Sequence, residues 1–99
     1  MGTVAAISQP NLSVEALLGG RGVLRATPSS SLDWVSVIRR GISSAAVDSI
    51  AKSIRVTQSE LATVLGIPER TLARRKKEGV LTSEESAKLV RLARVVERA

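Results

Sequence analysis

Residues 57–79 read TQSELATVLGIPERTLARRKKEG. Thr57 is followed three positions later by Glu60, the spacing of a capping box. The hydroxyl accepts from the third-residue amide, and the carboxylate reaches back to the cap amide. Val56 and Leu61 fall where a hydrophobic staple belongs. Leu61 and Leu65 share one helical face, and Ala62 is small where a second helix has to cross closely. Gly66 then ends the helix in the left-handed conformation that glycine tolerates. Ile67 supplies an apolar plug, Pro68 fits the first turn of a new helix, and Leu72 anchors that helix on the core. Two helices joined by a tight glycine turn make a helix-turn-helix.

The second helix carries five positive charges in eight residues: Arg70, Arg74, Arg75, Lys76 and Lys77. A charge run on a helix is ordinarily a solvated face. Here the spacing places it. With Leu72 at the core, Arg70, Arg74 and Lys77 lie about 140–200° away by the helical period, side by side and pointing outward. A helix of this width fits the major groove, where an arginine holds guanine O6 and N7 with two parallel bonds. Arg70 and Arg74 are the expected base readers, with Glu69 and Thr71 beside them. Arg75 and Lys76 sit nearer the core side, with stems that pack and heads that reach out. Together with Lys77 they are expected at the phosphate backbone, as are Thr57 and Gln58 at the start of the first helix.

Downstream, Thr82 and Glu85 repeat the capping-box spacing and open a helix to residue 98. Leu89, Leu92, Ala93 and Val96 form its apolar stripe, expected as core or as the seam of a homodimer. Lys88, Arg91, Arg94 and Arg98 occupy an adjacent face, while Val90 and Val95 outside the stripe imply a wider buried surface. Upstream, SSAAVDSIAKSI places Val47, Ile50, Ala51 and Ile54 on one face and Asp48, Ser49, Lys52 and Ser53 on the other. SLDWVSVIRRG spaces Leu32, Val35 and Ile38 as a candidate stripe, with Trp34 as a core residue. Helices are predicted near 31–40, 44–55, 57–65, 68–78 and 82–98, with no β candidate. The fold class is therefore all-α, a small helical bundle containing a helix-turn-helix over residues 31–99. Residues 1–30 read as a flexible leader with a possible short helix at Ser13–Leu18, stopped by Gly19 and Gly20 and followed by a Gly/Ser/Pro-rich linker.

Composition narrows the function. Ninety-nine residues accommodate one domain, and 15 Lys and Arg against 9 Asp and Glu leave a net charge of +6. That excess favours a polyanionic partner. The chain has neither cysteine nor histidine, so no metal site, cofactor or catalytic residue is predicted, and the protein does not read as an enzyme. Trp34 as the sole aromatic argues against base-stacking platforms for single strands. No apolar run approaches the ~20 residues of a membrane span, and the N-terminus lacks a signal-peptide pattern. A cytoplasmic protein without a membrane partner is expected.

The stretch ELATVLGIPERTLARRKKEGVLTSEESAKLVRLARVVERA resembles the N-terminal half of the Xre/ParS/MbcA-type antitoxins, the partners of RES-domain toxins. RTLARRKKEG, followed by LTSEES and RLARV, carries the likeness, and residues 31–56 look like that family's lead-in helices. The resemblance implies a type II toxin–antitoxin system. Its antitoxin dimerises, binds double-stranded operator DNA, represses its own promoter and neutralises a co-expressed, NAD-consuming RES toxin. In such antitoxins the toxin-blocking surface lies in a helical domain after the RLARV helix. Since this chain stops at Ala99, the DNA-binding half alone is expected, with the toxin-binding domain absent or truncated. The alternative is a helical protein-interaction module that uses the Leu89 stripe or Trp34 and does not bind DNA.

Overall fold

The computed structural model describes residues 14–24, 28 and 30–98. Among them are seven helices: α1 (Val14–Leu17), α2 (Arg21–Leu24), α3 (Ser31–Arg40), α4 (Ala45–Ile54), α5 (Gln58–Leu65), α6 (Glu69–Glu78) and α7 (Ser83–Arg98). The fold is all-α. No helix among the described residues is long and apolar enough to cross a membrane.

The predicted caps form as the spacing requires. Thr57 Oγ1 accepts from the Glu60 amide at 3.1 Å, and Glu60 Oε1 accepts from the Thr57 amide at 2.8 Å. Thr82 and Glu85 reproduce the same reciprocal pair at 3.1 and 3.0 Å. Gly66 ends α5 at φ 72°, ψ 29°. Its amide and that of Ile67 close on the Thr63 and Ala62 carbonyls at 3.2 and 3.0 Å, a Schellman motif. Pro68 stands just before α6 as its cap rather than inside it.

α7 is the axis of the bundle, with α1, α3, α4 and α5 packed on it. Leu61, Ala62, Leu65, Ile67, Leu72, Leu89, Val90 and Ala93 are buried together with Val47 and Ile50 of α4. Leu89 and Ala93 are thus interior to the single chain, and Leu92 and Val96 lie at its margin. Val90 belongs to the core, as the wider buried surface required, whereas Val95 is exposed.

Two expectations change. The first concerns α3, where Leu32 is 78% exposed and Val35 45%, while Val37 is buried and Trp34 and Ile38 pack on the core. Each three-residue step falls short of a full turn by about 60°, so a 32–35–38 series winds off any single face. Trp34, Val37 and Ile38 stay on one face, and that face is the buried one. The second concerns the leader. Val14, Leu17, Leu18 and Leu24 are core residues, with α1 packed against α7 and α4 and α2 against α4. The Gly19–Gly20 pair breaks the chain into two short turns instead of releasing it. Residues 1–13, 25–27 and 29 of the expected leader are outside the described residues.

Two loops clasp each other beside the core. Ser43 and Val80 form a single antiparallel bridge, flanked by bonds from the Ser44 amide to the Gly79 carbonyl (3.1 Å) and from the Leu81 amide to the Ile42 carbonyl (2.9 Å). The Ile42 amide donates to the buried Ser86 hydroxyl at 2.9 Å. This clasp fixes the end of α6 to the start of α4, and it leaves no strand among the described residues.

Candidate nucleic-acid interface

α6 rests chiefly on α5, with Leu72 fully buried as its anchor. One leucine fixes little rotation about the helix axis. Charged pairs on both flanks supply the rest. On one side Arg75 Nε bonds Glu85 Oε1 of α7 at 2.8 Å, and its Nη1 bonds Glu78 Oε1 at 3.0 Å. On the other, Lys76 Nζ bonds Asp48 Oδ1 of α4 at 2.9 Å and Gln58 Oε1 of α5 at 2.8 Å. The helix is held between these two clamps.

Arg75 is turned inward, its side chain only 17% exposed. Hydrogen bonds to Glu85 and then to Glu78 raise its guanidinium above the ordinary value. For Glu85, burial is the strongest influence and works against the charge. The Arg75 bond and the Thr82 amide together outweigh it and hold the carboxyl below its ordinary value. The phosphate contacts expected of Arg75 and Lys76 therefore compete with partners already inside the chain.

Arg70, Arg74 and Lys77 are exposed, on the face opposite Leu72. Arg74 has a loose pair with Glu78 at 3.9 Å, its side chain 60% exposed. An exposed pair of this length holds little. Glu69 is exposed and Thr71 half-buried beside them. Thr57 is exposed with its hydroxyl spent on the cap. Gln58 is half-buried, its carbonyl oxygen on Lys76 and its amide group left for an outside acceptor. The outward face of α6 thus presents two guanidinium forks and an ammonium on a helix whose orientation is clamped from both sides.

A protein-family profile described as the antitoxin Xre-like helix-turn-helix domain matches residues 33–94. The chain belongs to the Xre-like antitoxin helix-turn-helix family. The matched span runs from α3 into α7 and contains every member of both clamps. No curated protein and no solved structure matches the chain. The family is one of DNA-binding antitoxins. Asp48, Glu78 and Glu85 were not singled out as site residues by sequence reasoning. Glu78 and Glu85 follow the basic run closely, with Glu85 already assigned as a cap, whereas Asp48 lies far upstream in α4 and carries no local signal.

Proposed function

We propose that this Xre-like domain is the operator-binding part of a type II antitoxin. It binds double-stranded DNA as a homodimer through α5 and α6 and represses the promoter of its own operon. The observation that supports this most directly is the exposed trio Arg70, Arg74 and Lys77 on the second helix of a helix-turn-helix. Arg70 and Arg74 read base edges, with Glu69 and Thr71 alongside. Lys77, Thr57 and the Gln58 amide group meet phosphates. Arg75 and Lys76 position α6, and the exposed part of Lys76 adds to the local positive potential. A twofold dimer would meet half-sites one helical turn apart, about 34–36 Å.

The co-expressed partner, on this reading, is a RES-domain toxin, neutralised by a surface outside residues 33–94. The resemblance of the RTLARRKKEG, LTSEES and RLARV segments supports that assignment.

A second reading, a protein-docking module, is favoured by one feature. Val64 and Val95 are each 61% exposed and line a groove of about 260 Å³ between α5 and α7 with Leu65, Leu92, Lys88 and Arg91.

Retardation of a duplex carrying the promoter of its own gene, against a scrambled duplex, separates the two. Preferential retardation that weakens with salt, and is lost in Arg70→Ala/Arg74→Ala, is the expected result. Equal or absent retardation of both duplexes would leave the docking reading.

A further inference from the structure

Arg55 is the only non-glycine residue with positive φ among the described residues, at φ 58°, ψ 48°. α3, α5 and α6 all end in a positive-φ glycine, at Gly41, Gly66 and Gly79. α4 ends in the same kind of turn, with the Arg55 amide on the Lys52 carbonyl at 3.3 Å and the Val56 amide on the Ala51 carbonyl at 3.0 Å. The turn thus serves a helix stop that glycine would make without strain. Arg55 is exposed, and no acidic side chain lies within ion-pair distance of it among the described residues. The two cap bonds hold the arginine in a conformation that glycine adopts at less cost.

The surroundings of the guanidinium bear on its role. Asp48 and Lys52 are four residues apart and share one face of α4, and Arg55 is the residue that ends the helix. Asp48 is held by Lys76 of α6, and Lys76 also holds Gln58 of α5. That three-way junction places Asp48 of α4 and the start of α5 against the flank of α6. Lys52 and Arg55 are exposed, and Arg55 stands two residues before Thr57, the cap of α5. A duplex whose backbone meets Thr57 and Gln58, as in the reading above, comes to the turn that carries Arg55.

We propose that Arg55, with Lys52 one turn before it, forms a DNA phosphate-binding site on the α4–α5 turn, separate from the recognition helix. This inference rests on the DNA-binding reading above. The guanidinium offers a fork that fits two phosphate oxygens. The left-handed turn fixes where that fork starts. The site contributes affinity and register without reading sequence, since phosphates are the same at every step.

The test compares the parent chain with Arg55→Gly, Arg55→Lys and Arg70→Ala, by thermal melting and by affinity for the promoter duplex across a salt series. Arg55→Gly should melt higher than the parent, because the strained turn is relieved, and yet bind DNA more weakly. Its log affinity against log salt should be shallower by about 0.9 for each phosphate it no longer neutralises. Arg55→Lys should keep most of the parent slope. Arg55→Gly binding with the parent slope would overturn the site, as would Arg55→Lys losing as much slope as Arg55→Gly, because lysine keeps the charge that the site is argued to supply. If Arg70→Ala is weakened while both Arg55 variants bind like the parent, this site fails and the DNA-binding reading stands. If the parent itself binds no duplex, the DNA-binding reading fails and this site with it.

Discussion

Arg75 Nε lies 2.8 Å from Glu85 Oε1, the same oxygen that accepts the Thr82 amide at 3.0 Å. One carboxylate oxygen thereby joins the recognition helix to the N-terminal cap of α7, the helix around which the bundle is built. The orientation of α6 is set by a residue whose local role is only to start the next helix.

This shared oxygen makes the domain sensitive to acid. The Glu85 carboxyl titrates below its ordinary value in the fold. A lowered folded pKa gives stability that is fully present above the unfolded value. It is lost as pH falls from there through the folded value. Glu85→Gln keeps an oxygen for the Thr82 amide but not the charge that faces Arg75. Melting temperature against pH should therefore drop less on the acid side for Glu85→Gln than for the parent. Parallel acid limbs would show that the pair contributes nothing to stability.

The Ser86 hydroxyl is fully buried and accepts the Ile42 amide at 2.9 Å. Ser86→Ala removes the acceptor without opening much volume and leaves a buried N–H unpaired. The expected cost is about 1–3 kcal/mol, measurable by urea unfolding. A loss within error of zero would mean that water replaces the hydroxyl.

Gly41 and Gly66 both have positive φ, but only one is crowded. A Cβ on Gly41 would meet the Leu81 carbonyl oxygen at 2.6 Å, whereas one on Gly66 meets nothing within 4 Å. Gly66→Ala should cost about 1–2 kcal/mol for the left-handed backbone alone. Gly41→Ala should cost clearly more, because the backbone atom it meets belongs to the loop clasp and cannot turn aside. Equal melting temperatures for the two variants would show that the clasp yields.

The parts of this fold that were legible in the sequence are those whose cause is local. The Thr57 and Thr82 caps, the Gly66 stop and the outward placement of Arg70, Arg74 and Lys77 follow from spacing within a few residues. What escaped depends on distant partners. The bonds from Arg75 to Glu85 and from Lys76 to Asp48 and Gln58 join residues far apart in the sequence, and no local spacing announces them. The Gly19–Gly20 segment reads as a linker because its composition is that of one. Leu24 nonetheless finds a buried place on the core, and no periodicity in a four-residue helix announces that. The left-handed stop at Arg55 has no sequence signature, since no glycine marks it.

The claim that α6 reads DNA through its outward face rests most on Arg74. Lysine keeps its charge but not the two parallel hydrogen bonds of the guanidinium. The most direct measurement is the affinity of Arg74→Lys and of Lys77→Ala, each against the parent, on the promoter duplex and on a scrambled duplex at one salt concentration. Arg74→Lys should leave scrambled binding nearly unchanged and lose about 1–3 kcal/mol on the promoter duplex. Lys77→Ala should weaken both duplexes alike. If Arg74→Lys weakens the two duplexes equally, or neither, Arg74 does not read a base and the central claim fails.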